Sequence, residues 1–97
     1  MTDLTKLARG EPCDIRVPGY CRGNPESVVC CHLRMPGISG YGLKAPDALA
    51  AHGCQPCHDV VDGRTPTEFT HDQCRAMLIE GVMRTQYKLI KRGVLKW

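Results

Sequence analysis

Apolar and polar positions alternate with two different periods along this chain. From residue 70 onward Leu78, Val82 and Leu89, flanked by Ile79, Met83 and Ile90, recur at helical spacing. Thr70-His71-Asp72-Gln73 ahead of them matches a capping box, and Gly93 behind them suits a stop, so a long helix is predicted to run to about Arg92. Ser27 to Arg34 (SVVCCHLR) is rich in β-branched residues and cysteine and predicts a strand, with Ala48 to Gly53 as its returning partner across a Gly/Pro-containing turn over 35–47. A short helix is predicted near Cys54, because Pro56 suits a first turn and Gly63 a left-handed stop. Leu4 to Arg9 predicts a helical turn, and the Gly/Pro-rich stretch 10–27 a loop. The pattern is that of a single α+β domain over 1–97.

Composition changes this picture in one respect. A chain of 97 residues with one Trp, one Phe and three Tyr cannot build a large apolar core, yet it carries seven cysteines. Small domains often need a metal or disulfides to be stable. Residues 1–25 show no signal-peptide pattern, no segment approaches a membrane span, and the cysteine count is odd, so a reducing cytoplasm and a metal are expected rather than a disulfide scaffold.

Cys54-Gln55-Pro56-Cys57 is a C-x2-C pair at the predicted helix start, where the helix dipole favours thiolates. Zinc takes four tetrahedral ligands, and Cys13 with Cys21, set in the upstream loop, are the expected second pair. Their spacing is long, and Cys30 and Cys31 compete with them. Adjacent strand residues point to opposite faces, however, so Cys30 and Cys31 could hardly share one ion. Burial as small apolar side chains is the expectation for Cys30 and Cys74.

The same short helix carries a second pattern. At about 100° per residue, Cys54, Cys57, Val60 and Val61 fall on one side, while His58 and Asp62 sit together on an adjoining one and Asp59 points to solvent. An imidazole and a carboxylate four apart can hold one divalent cation with open positions, such as Mg²⁺, which also binds a phosphate. His32, on the strand expected to fold over this helix, can then act as a base toward water.

Cys31-His32-Leu33-Arg34 on a strand, a Gly-rich turn, and Cys54-Gln55-Pro56-Cys57-His58-Asp59 with Asp62-Gly63-Arg64 on a helix resemble the ββα-metal, or HNH, nuclease motif on a treble-clef zinc scaffold. The likeness is closer still to the YbcO-like family of small phage and prophage proteins, and Glu80-Gly81 and Arg84-Thr85-Gln86 extend it over nearly the whole chain. The resemblance implies a metal-dependent DNA endonuclease with a structural zinc and a catalytic divalent ion. His32 matches the general base and His58 the last metal ligand. Two departures stand out: Cys31 replaces the Asp or His that many HNH enzymes place before the base, and the middle Asn has no clear counterpart, Asp47 lying nearest.

Charge bears on the partner. The net charge of +3 falls to about +1 once four thiolates hold one zinc ion, but no acidic residue follows Glu80. Arg84, Lys88 and Lys91 repeat as a basic stripe expected to meet phosphates, and Arg34 and Arg64 flank the expected metal site as holders of the scissile phosphate. DNA, duplex or branched, is the expected partner, and a homodimer through the long helix would suit cutting both strands. The rivals are a non-catalytic zinc module that binds DNA or a protein, and a purely structural zinc protein.

Overall fold

The computed structural model describes residues 4–33 and 46–95. Arg34, Lys44, Lys96 and Trp97 lie outside the described residues. Among the described residues five helices and strands follow one another: α1 (Leu4–Leu7), β1 (Val29–His32), β2 (Ala50–Gly53), α2 (Gln55–Val61) and α3 (His71–Lys91). Both strands are shorter than the predicted ones. Asn24 caps a 3-10 turn over Pro25–Ser27 ahead of β1, and a second 3-10 turn over Asp47–Leu49 precedes β2.

The strands pair antiparallel with Cys30 opposite His52, Cys31 opposite Ala51 and His32 opposite Ala50. Thr70 caps α3 as predicted: its hydroxyl accepts from Gln73 N–H at 3.1 Å, and the Gln73 side chain accepts from Thr70 N–H at 2.8 Å. α3 packs along β2, and glycines allow the approach. A Cβ on Gly81 would lie 2.9 Å from Ile15 Cγ1 and 3.1 Å from Ala51 Cβ. The core is made of small side chains, Val17, Val28, Val60 and Val82 among them, and its largest fully buried residue is His52. Such a core leaves much of the stability to other devices.

One device is an ionic clamp between the 11–17 loop and α3. Asp14 is buried and accepts from the Thr85 hydroxyl at 2.7 Å and from Lys88 Nζ at 2.9 Å. Lys88 also lies 3.2 Å from Glu11, which Arg92 meets at 2.9 Å. Arg84 donates to the Asp14 carbonyl at 2.7 Å. The Arg92 and Lys88 partners outweigh the burial of Glu11 and hold its carboxyl below the usual range. Burial, and after it the Lys88 charge, pushes His52 down, so its neutral Nδ1 accepts from Lys88 at 2.9 Å. The second device is the cysteine cluster that this loop carries.

Candidate metal centre and hairpin–helix site

Four sulfurs converge where the loop, the hairpin and α2 meet. Cys54 is the N-cap of α2, and Cys57 lies in its first turn behind Pro56. Cys13 and Cys21 come from the loop, and the ligand atoms of all four lie within 4.8 Å of one another. Cys13 Sγ stands 3.6 Å from Cys57 Sγ, and Cys54 Sγ 3.9 Å from Cys21 Sγ. Sulfurs bound to a tetrahedral zinc at about 2.3 Å are about 3.8 Å apart, whereas a disulfide needs about 2.0 Å. None of the seven cysteines is in a disulfide. The tetrad can therefore hold a metal ion such as zinc.

The backbone is shaped for it. Arg16 takes a left-handed φ of 59°, which an L residue adopts at a cost. That turn aims its own N–H at Cys13 Sγ, 3.5 Å away, and the Val17 N–H at Cys57 Sγ, 3.4 Å away. The hydrogen bond between Cys13 and Cys57 holds Cys13 down to about 4, and the same contact with burial pushes Cys57 up. Burial likewise pushes Cys21 up. A divalent cation held by these four residues would favour the thiolate form of all of them.

The remaining cysteines stay outside the tetrad. Cys30 and Cys31 point to opposite faces of β1, as adjacent strand residues must. Cys30 donates to the Leu4 carbonyl at 3.3 Å, and Cys31 is buried, which, with the negative charge of Asp62, pushes its thiol up. Cys74 is half-buried on α3.

The structure sets two imidazole–carboxylate pairs on the hairpin and on α2. His32 Nε2 lies 2.6 Å from Asp47 Oδ1, with the His32 side chain 17% exposed. The β1–β2 register makes this contact, since Asp47 sits just ahead of Ala50, the partner of His32. On α2, His58 Nε2 lies 3.3 Å from Asp62 Oδ2, and the Asp62 side chain is only 8% exposed. Among the described residues the buried His58 Nδ1 has no hydrogen-bond partner. Asp59, partly exposed on α2, accepts from Gln55 at 2.9 Å and lies 3.7 Å from Arg64.

The basic side chains do not form a continuous stripe. Lys88 turns inward, because the carboxylates of Glu11 and Asp14 lie against that face of α3 and require a counter-charge. Arg84 is shared between Glu80 and the Asp14 carbonyl. Lys91 stays at the surface, its Nζ 5.2 Å from the centre of the Tyr87 ring. Arg64 is 61% exposed and lies 3.4 Å from Asp62, so it borders the α2 pair. Among the described residues no helix is long and apolar enough to cross a membrane.

Comparison with known proteins gives consistent results. A family model described as "Putative nuclease YbcO" matches residues 2–94. A protein of that name from Escherichia coli is 44% identical over 97 residues, spanning 99% of both chains, and one from Enterobacteria phage 82 is equally similar. A solved structure of a "putative bacteriophage protein" from Escherichia coli superposes with a TM-score of 0.76 at 39% identity, covering 93% of this chain and 99% of that one.

Proposed function

The chain belongs to the YbcO family, and from that membership we propose that it is an HNH-type endonuclease that hydrolyses phosphodiester bonds in DNA. In this reading Cys13, Cys21, Cys54 and Cys57 hold a structural zinc in a treble-clef arrangement. The β1–β2 hairpin and α2 then form the ββα unit that carries the chemistry.

The observation that carries the reading is the 2.6 Å contact between His32 Nε2 and Asp47. A proton shared there leaves the lone pair on His32 Nδ1 free for water, and the carboxylate holds the ring in that tautomer. Asp47 thus takes the orienting part for which the sequence offered no clear residue. In the hydrolytic step His32 takes a proton from water, the water oxygen bonds to phosphorus, and a phosphorus–oxygen ester bond breaks; the departing alkoxide takes a proton from solvent, and His32 returns its own to solvent.

His58 and Asp62 are the residues that would hold the catalytic divalent ion, Mg²⁺ or a similar one. Their facing atoms, 3.3 Å apart, are close to the roughly 3.0 Å between neighbouring ligands of an octahedral ion with bonds of about 2.1 Å. Such an ion supplies positive charge to the phosphodiester as negative charge develops on it. Arg64, at the edge of this pair, and Arg34 would hold the scissile phosphate, and Lys91 a flanking one.

Plasmid nicking in Mg²⁺ or Mn²⁺ tests the reading. His32→Ala should abolish nicking while zinc stays near one per chain. A variant that nicks as fast as the parent overturns the assignment. DNA retention that weakens steeply with salt, with no cleavage by the parent, would instead identify a binding module.

A further inference from the structure

Beside Asp62 the surface folds into a cavity of about 340 Å³, enclosed by the end of α2, the 63–69 loop and the first turns of α3. Val60, Val61, Leu78 and Phe69 give it an apolar floor. Val60 and Leu78 are buried, and the Tyr20 ring meets Phe69 edge-on with centroids 6.2 Å apart, which holds the Phe69 ring in place. Thr65, Thr67 and Arg75 also line the cavity, and the Thr67 hydroxyl, which accepts from Phe69 N–H at 3.1 Å, keeps a proton to donate.

Each part of the lining selects something. An apolar floor with an aromatic ring suits a flat, weakly polar body that can stack. The hydroxyls suit a ligand whose edge carries hydrogen-bonding groups. Exposed Arg75 suits a phosphate beside the cavity. Asp62 belongs both to this wall and to the His58 pair, so the cavity adjoins the candidate metal position. Its volume lies at the lower end of the roughly 300–1,000 Å³ usual for ligand pockets, room for about one nucleoside.

We propose that this cavity receives one unpaired nucleobase of the strand being cut, next to the scissile phosphate. The inference rests on the nuclease reading above and deepens it. A base inside a duplex is stacked and paired and cannot enter without being extruded. The substrate class is therefore DNA with an unpaired nucleotide at the cut site: a single strand, a flap or a junction, in preference to an intact duplex.

The test uses the full, zinc-loaded chain carrying Cys30→Ser, so that Cys74, which lines the cavity, is the reporter thiol. Affinity is measured by fluorescence anisotropy for a short oligothymidylate and for a hairpin duplex of equal length, without added Mg²⁺. Maleimide labelling of Cys74, read by mass spectrometry, follows occupancy. The oligothymidylate should bind more tightly than the duplex and slow Cys74 labelling. Thr65→Trp, which fills the cavity, should cut the preference for single strand over duplex by about 5- to 150-fold, the range expected for losing a stacked base, and Arg75→Ala should weaken oligothymidylate binding. Equal labelling rates with and without oligothymidylate, or an unchanged preference in Thr65→Trp, would overturn the cavity assignment even if plasmid nicking proceeds. Protection of Cys74 and a reduced preference in Thr65→Trp, without cleavage in Mg²⁺ or Mn²⁺, would uphold the cavity and overturn the nuclease reading instead.

Discussion

Replacing Lys88 by Met removes a charge from the clamp while keeping much of the side-chain bulk. In the parent, Lys88 lies 2.9 Å from Asp14 and 3.2 Å from Glu11, with side-chain exposures of 17% for Lys88 and 7% for Asp14. The variant leaves Asp14 with the Thr85 hydroxyl and Glu11 with Arg92, and it deprives His52 Nδ1 of its donor. Removing one partner of a buried ion pair costs about 3–5 kcal/mol. The residual exposure of Lys88 and the surviving Thr85 contact put this case at about 3 kcal/mol. For a domain of this size that lowers Tm by about 12–24 °C. Urea and thermal unfolding at a fixed excess of zinc measure it, because metal bound only to the folded state otherwise shifts the result. Asp14→Asn combined with Lys88→Met should be less destabilising than the sum of the single changes by at least about 1 kcal/mol. Stability within about 1 kcal/mol of the parent, with weakened DNA binding, would refute this reasoning and return Lys88 to the phosphate-binding surface.

Further outcomes follow from the packing and from the hairpin. Gly81→Ala gains about 1 kcal/mol of helix propensity but drives a Cβ into Ile15 and Ala51. Overpacking of about 1–3 kcal/mol should leave the variant less stable by about 1 kcal/mol in urea unfolding, with partial recovery in Gly81→Ala/Ile15→Val; a more stable Gly81→Ala contradicts the close approach. Thr70→Ala removes the hydroxyl half of the capping box, the bond accepted from Gln73 N–H, and should cost about 1 kcal/mol with faster amide exchange at Gln73, whereas unchanged exchange would show the cap to be idle. Asp47→Asn presents an amide donor to His32 Nε2 and moves the ring proton to Nδ1, where the base is needed. Nicking should fall at least about tenfold at unchanged zinc content, with partial rescue by Asp47→Glu. Full activity in Asp47→Asn would remove Asp47 as a positioning residue.

The elements with strong local signals were legible in the sequence. Thr70 and Gln73 mark the start of α3, Pro56 the first turn of α2 and Gly63 its left-handed exit, because each is dictated by backbone chemistry within a few residues. The cysteine tetrad was legible too, since a C-x2-C pair at a helix start needs two more sulfurs and the Gly/Pro loop offered Cys13 and Cys21. Contacts set by tertiary packing were not. Periodicity placed Lys88 on a basic face but could not show that the loop bearing Glu11 and Asp14 would cover it. Asp47 next to His32 depends on strand register, which the sequence leaves open when the intervening turn is long and Gly-rich. The strand ends were overestimated because Pro25–Ser27 and Asp47–Leu49 tighten into 3-10 turns.

Zinc stoichiometry by native mass spectrometry bears on the account most directly, since the docking of α2 against the loop depends on what the four sulfurs bind. The parent chain should carry one zinc, and Cys→Ser at position 13, 21, 54 or 57 should each release it, while Cys30→Ser and Cys74→Ser retain it. A parent purified without metal, or zinc that survives loss of any one of those four thiols, would contradict the account.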